Sequence, residues 1–279
     1  MRAAGCARFS PRQGERLKIS IVIPVFNEER HVLDVLRLVA SVPLEKELIV
    51  VDDCSRDGTG KVLEAISRDN ALVTSADPAG KTTIRCFRQE VNRGKGAALH
   101  KGFAEATGDV VVVQDADFEY DPNELPGLLE PILNGEADVV FGSRFLRGHA
   151  GFPWLHTLAN RMLTIASNVV SGLRVTDMET CYKLFRAEVL RTLPLQEERF
   201  GFEPEVTALL GHYRKQHSLR LVERPISYKP RTVEEGKKIR LKDAFRAVYC
   251  ILRYGLAPAS LRAATRSPAP VAEQPSHSV

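Results

Sequence analysis

Four short runs, each ending at acidic or amide residues, constrain this chain more than any other feature. They cover residues 18–24 (KISIVIP), 47–51 (ELIVV), 83–88 (TIRCFR) and 109–113 (DVVVV). Three are continuously apolar and rich in Val and Ile, the pattern of strands buried on both faces. Between them lie stretches with helical spacing, such as Val32, Val35, Leu36 and Val39 within 28–40, and Val62, Leu63 and Ile66 after Asp57-Gly58-Thr59. Strand and helix alternate four times, which predicts an α/β fold with a mostly parallel sheet and helices on both faces. Residues 74–82 read as a solvated loop. The polar residues gather just after the strand ends: Asn27-Glu28, Asp52-Asp53, Asn92 to Gly96, and Asp115 with Asp117. Open α/β sheets bind ligands at that edge.

The chain has 279 residues, 44% of them hydrophobic and 27% charged, which excludes a largely disordered or collagen-like chain. The expected body is one domain over 18–256, with a loose basic arm at 1–17 and a Pro/Ala/Ser-rich disordered tail at 257–279. A net charge of +4 is too small for a general nucleic-acid binder, and no nucleic-acid partner is expected. Five scattered cysteines without CxxC spacing read as reduced thiols of a cytoplasmic protein. The N-terminal arginines precede no apolar h-region, so they form no secretory signal. No run approaches the roughly 18 apolar residues needed to cross a bilayer.

Asp115 and Asp117 flank one small residue directly after the most apolar strand. Two carboxylates there can cradle a hard divalent cation, Mg2+ or Mn2+, which shares its oxygen ligands with substrate phosphates; alternatively they cap the next segment. Asp53 can accept from a ribose hydroxyl or a base N–H, while Asp57 caps the following helix. Asn92-Arg93-Gly94-Lys95-Gly96 offers N–H groups and two cations at a helix start, which suits phosphate, or is a glycine turn with exposed charges. It is not a Walker A loop.

Together these blocks resemble the family 2 glycosyltransferases of GT-A fold, nearest the branch of polyprenyl-phosphate sugar transferases. The matching stretches are 24–29, 52–59, 92–98, 114–117, 141–145, 176–177, 201–205 and 228–238, in family order across about 220 residues. The resemblance implies an inverting hexosyltransferase using a UDP- or GDP-sugar. It implies that Pro24, Phe26, Glu28 and Asp53 hold the nucleoside. Asp115, Asp117 and Glu119 would sit at the metal. Arg231 would reach the diphosphate with Lys237 or Lys238 nearby, Lys95 would serve the donor, and Arg144 would face an acceptor phosphate. Three departures stand out. Phe26 replaces a tyrosine, Glu119 a glutamine at the metal, and Asn160 and Thr164 an arginine and a serine that bind the acceptor.

A polyprenyl phosphate acceptor is already an anion and needs positioning rather than a base. A saccharide or small-molecule hydroxyl needs a base, for which Asp177 and Glu203 are the candidates. A nucleotidyltransferase and a non-catalytic nucleotide-sugar binding module are the remaining alternatives. Lys237, Lys238, Arg240, Lys242, Arg246 and Arg253 crowd a segment whose Leu241, Phe245, Val248 and Leu252 share one helical face. That is the pattern of a basic amphipathic helix on an anionic bilayer, and implies a peripheral position at the cytoplasmic membrane face; the alternative is a helix packed on the body. The helix over 155–170 carries Leu158, Met162, Ile165 and Val169 as a second interface or as core, and Trp154 is expected to pack or, alternatively, to reach acceptor or membrane.

Overall fold

A computed structural model describes residues 17–147, 154–231 and 241–256. The arm at 1–16, the tail at 257–279 and Lys237 and Lys238 lie outside the described residues. In chain order the elements are β1 (Ile19–Val25), α1 (Val32–Ser41), β2 (Lys46–Asp52), α2 (Thr59–Arg68), α3 (Ala71–Thr74), β3 (Thr82–Arg88), α4 (Lys95–Glu105) and β4 (Val110–Val113). Then follow α5 (Leu125–Leu133), β5 (Val139–Ser143), α6 (Trp154–Ser171), β6 (Lys183–Arg186), α7 (Ala187–Arg191), α8 (Phe202–Gln216), β7 (Leu221–Pro225) and α9 (Leu241–Gly255).

The strands form one sheet in the order β3-β2-β1-β4-β6-β5-β7. Pairings are parallel except at β6, which runs against both β4 and β5. β2 and β4 are buried along their whole length, and only Pro24 interrupts burial in β1, as the continuous Val/Ile runs require. Helix α1 covers the sheet with Val32, Val35, Leu36 and Val39, all buried. Its last turn is closed by the buried Lys46, whose ammonium donates to Ala40 O, Val42 O and Leu44 O, a cation where the helix leaves carbonyls unpaired.

Three features depart from the sequence pattern. Helix α1 begins at Val32 rather than Glu28, because residues 27–29 are tied to the next loop. Residues 74–82 are not simply solvated: the buried Asp77 accepts from the N–H groups of Ala79, Lys81 and Thr82 and from the Thr82 hydroxyl, a tight turn that aims β3. The reversed strand β6 carries no signal in the alternation, since Lys183-Leu-Phe-Arg186 holds only two apolar residues between cations, too short a run to mark a strand or its direction.

Reversal of β6 alone means that β1 to β5 and β7 all point their carboxyl ends to one edge. There the chain turns out after β1, β2, β4, β5 and β7, and there the expected site residues lie.

Candidate active site

The first two turns interlock. Asn27 and Cys54 adopt left-handed backbone conformations, φ 51° and 57°, which non-glycine residues rarely occupy away from functional turns. Asn27 N–H donates to Ser55 Oγ, and its side-chain oxygen accepts from Arg56 N–H. Glu28 N–H donates to Thr59 Oγ1. Asp57 accepts from Thr59 N–H and Glu29 N–H, so it caps the start of α2 as its position suggested. The half-buried Pro24 and Phe26 and the buried Glu28 are thereby fixed as one face of the cleft.

Asp53 has a different task from the one expected. Its carboxylate accepts from Gln89 Nε2, Asn92 Nδ2, Arg93 N–H and Gly94 N–H at 2.7–2.9 Å. Burial pushes its pKa up against the two backbone donors. It therefore organises the 89–94 turn.

That turn is also no phosphate cradle. Two of its N–H groups go to Asp53, and Ala97 N–H donates to Glu198 O at 2.9 Å. The glycines admit the backbone of residues 197–199: a Cβ on Gly96 would collide with Glu197 O, and one on Gly94, at φ 109°, with Glu198 O. Gly96→Ala is expected to lower stability by about 1–3 kcal/mol, as overpacking does. Gly127→Ala, in α5 with open space around it, should be neutral or stabilising. Urea unfolding of both variants checks this, and equal midpoints would contradict the close approach.

From the start of α4, Lys95 alone enters the cleft. Its ammonium lies 2.9 Å from Asp115 Oδ1 and 2.9 Å from Glu203 Oε1. Burial works against its charge, but Asp115 and Glu203 hold its pKa well above the ordinary lysine value. Asp117 has a carboxyl pushed up to about 7, first by burial and then by the charges of Asp115 and Glu119, with Arg231 opposing. Its neighbourhood is short of positive charge. An all-oxygen donor pair in such a field fits a hard divalent cation, which takes one or two protein carboxylates and completes its shell with water and substrate phosphates. Among the described residues no group of three or more His, Cys, Asp or Glu forms a ready-made cage.

Glu119, expected as a third metal ligand, has both oxygens engaged elsewhere. Oε2 accepts from Tyr228 OH at 2.8 Å and Oε1 from Arg231 N–H at 2.9 Å, so Glu119 anchors the segment after β7. Arg231 rests on Glu28, its guanidinium 3.1–3.2 Å from both carboxylate oxygens.

On the far side, Arg144 and Asp177 form a bidentate pair at 2.7 and 2.8 Å, with Arg144 N–H also donating to Asp177. Their side chains are 6% and 0% exposed. Asp177, expected as a possible base, is thus the counter-ion of Arg144. The Arg144 guanidinium lies 5.1 Å from the Tyr228 ring centroid, which links it to the Glu119 anchor. Asn160 and Thr164 are bound to each other and to this loop: Thr164 Oγ1 accepts from Met178 N–H and sits 3.3 Å from Asn160 Oδ1.

Sequence patterns missed Tyr228, Lys183 and Glu179. Tyr228 stood inside a matched block but carried no charge to mark it. Lys183 and Glu179 sit in a stretch, Met178 to Phe185, that reads as plain core. Glu205 was likewise passed over. It accepts from Gln196 N–H and Glu197 N–H and ties the 196–199 segment to α8, with burial pushing its carboxyl up to about 7.

Helices α6 and α9 pack side by side and expose apolar side chains. Trp154, Met162, Ile165 and Val169 are 62–79% exposed on α6; Phe245 on α9 is 72% exposed and Leu256, just past its end, 67%. Trp154 therefore does not pack, and α6 is not plain core. No described helix is long and apolar enough to cross a membrane.

Residues 20–193 match the model of glycosyl transferase family 2. The chain is 31% identical over 254 residues to an undecaprenyl-phosphate mannosyltransferase of Micrococcus luteus, covering 86% of this chain and 95% of that protein. It is 28% identical over 247 residues to a dolichol-phosphate mannosyltransferase of Pyrococcus furiosus, covering 85% of this chain and 64% of that one. Among solved structures, glucosyl-3-phosphoglycerate synthase of Mycobacterium tuberculosis, in complex with Mn2+, UDP and glucosyl-3-phosphoglycerate, superposes with TM-score 0.61 at 24% identity. That match spans 87% of this chain and 81% of the synthase, a likeness of fold.

Proposed function

Because the chain belongs to glycosyl transferase family 2, we propose that it moves a hexose from a nucleoside-diphosphate sugar to a polyprenyl phosphate at a bilayer surface. The observation that carries this reading is the cluster of charge at the carboxyl edge of the sheet: Lys95 pairs with Asp115, Arg231 acts on Asp117, and Arg144 is linked through Tyr228 to Glu119, which also holds Arg231 N–H.

Asp115 and Asp117 would hold Mg2+ or Mn2+ between protein and donor. When bound, the cation would stabilise the charge that builds on the diphosphate as the sugar leaves. Donor phosphate competes with Glu28 for the Arg231 guanidinium. Arg231 then supplies a preorganised positive charge where negative charge develops. The Glu28 and Phe26 face receives the nucleoside. Lys95 keeps Asp115 oriented between turns of the reaction.

The acceptor side favours a phosphate over a hydroxyl. Asp177 is held by Arg144, and Glu203 by Lys95, so neither proton acceptor offered by the sequence is at liberty to serve as a base. A phosphate nucleophile has no need of one. It would approach past Arg161, exposed on α6 with its guanidinium 5.7 Å from the Phe145 ring centroid, toward Arg144. The exposed apolar side chains of α6 and α9, with Arg161, Arg246 and Arg253 beside them, suit the interface of an anionic bilayer. A peripheral position there brings the cleft to a lipid-borne acceptor.

The test is nucleoside-diphosphate release from a panel of UDP- and GDP-sugars with Mg2+ or Mn2+. Vesicles of anionic phospholipid are added with and without polyprenyl phosphate. Release is expected only with the lipid phosphate. Release driven equally by soluble saccharides would replace the lipid acceptor with a hydroxyl.

A further inference from the structure

From Asp177 to Ala187 every residue is buried except Glu179. Glu179 lies in the loop between α6 and β6, two residues after Asp177. The charged groups that act on it are Glu203, the partner of Lys95, together with Lys183, Arg144 and Asp177. Its Oε1 is shielded from solvent and has no hydrogen-bond partner, and the same is true of Thr180 Oγ1 beside it. Unpaired buried acceptors are rare, because each costs about 1–3 kcal/mol. Here two adjacent ones face no protein donor.

The turn that presents Glu179 is built with care. Lys183, wholly buried in β6, donates from its ammonium to Met178 O at 2.8 Å and Thr180 O at 2.5 Å, the carbonyls on either side of Glu179. The same ammonium lies 4.7 Å from the Phe141 ring centroid. A buried cation held this way fixes the backbone at 178–180 and leaves the Glu179 carboxyl aimed by its own side chain alone.

We propose that Glu179 is a sugar-recognition residue: its carboxyl accepts hydrogen bonds from hydroxyls of the transferred hexose and makes the site selective for neutral sugars. This rests on the glycosyltransferase reading above. The sugar must lie between the donor diphosphate, at Asp115, Asp117 and Arg231, and the acceptor, at Arg144; Glu179 is two residues from Asp177, the partner of Arg144, and in the field of Glu203, which shares Lys95 with Asp115. A carboxylate suits hydroxyl donors and the positive charge that develops on a sugar ring during transfer. It repels an acceptor phosphate, so it does not serve that group. With Glu203 acting on Glu179, a sugar bearing its own carboxylate meets like charge there. Burial, then Glu203, pushes the Glu179 carboxyl up to about 7, the same crowding of negative charge that a uronate would worsen.

The experiment compares wild type, Glu179→Gln and Glu179→Asp. Calorimetric titration first measures the free nucleoside diphosphate with Mn2+, and then the intact nucleotide sugar. Transfer is measured with the neutral donor, its monodeoxy analogues and the matching uronate donor. All three proteins should bind the diphosphate equally. Glu179→Gln should lower kcat/KM for the neutral donor by about 10- to 100-fold, with Glu179→Asp recovering part of it. At least one monodeoxy donor should be poor for wild type and no poorer than its parent for Glu179→Gln. The uronate should be rejected by wild type, and that rejection should weaken in Glu179→Gln. A variant that loses rate while still discriminating the deoxy donors as wild type does would overturn the proposal and assign Glu179 to the acceptor. A wild type that prefers the uronate would also overturn it. Failure of wild type to bind any nucleoside diphosphate would instead defeat the parent reading.

Discussion

Asp177→Ala is expected to lower folding stability by about 3–5 kcal/mol, because it leaves the Arg144 guanidinium buried without its counter-charge. The two side chains are 0% and 6% exposed and share two direct hydrogen bonds, so water cannot replace the lost partner. The urea midpoint of the purified variant measures the loss. The double variant Arg144→Met, Asp177→Leu should return most of the stability, since a desolvated ion pair contributes little over well-packed apolar groups. It should not return transfer to a lipid phosphate if Arg144 attracts that phosphate. A single variant within about 1 kcal/mol of wild type would mean that the pair is solvated in solution.

The second large effect concerns Asp117. Asp117→Asn removes one charged oxygen from the proposed cation site, and a cation there would supply several kcal/mol of transition-state stabilisation. Each 1.36 kcal/mol is tenfold in rate, so transfer should fall by about two orders of magnitude or more. A chelator added to wild type should reproduce the loss. Arg231→Ala should cost about 10²–10³-fold in kcat, as the loss of one preorganised charge donor does, and should leave metal dependence intact. Asp117→Asn with near-normal transfer would mean that the cleft works without a cation at this position.

Much of the sheet's carboxyl edge was legible because it is local. A run such as Val110–Val113 followed by Asp115 and Asp117 states both the strand and what waits at its end. The same holds for Asp57 as a cap, whose partners lie within two residues or in a facing turn. What could not be read was which side chains satisfy one another across the sheet. Asp53 looks like a ligand until the Asn92–Gly94 turn, some 40 residues on, closes over it. Glu119 looks like a metal oxygen until Tyr228 and Arg231, more than 100 residues later, take both of its acceptors. Gly94 and Gly96 suggest phosphate by their spacing, yet the physical need they meet is the passage of the 197–199 backbone. Periodicity reports the faces of single elements, and each of these pairings joins elements that sequence spacing does not relate.

Strand order has a consequence for how the protein is made. Among the described strands, β5 pairs only with β6 and β7, and β6 is the link between β5 and β4. A nascent chain that has emerged only to residue 182 has β1 to β4 ready to pair, with Asp115 and Asp117 already at their edge. Strand β5 then has no neighbour, and Arg144 has no fixed place relative to the aspartates. Ribosomes add about 5–20 residues each second, so a short interval separates the two halves. The four residues Lys183 to Arg186 end it by giving β5 its place in the sheet, and Tyr228 and Arg231, made later still, add the second link between Arg144 and the aspartate edge.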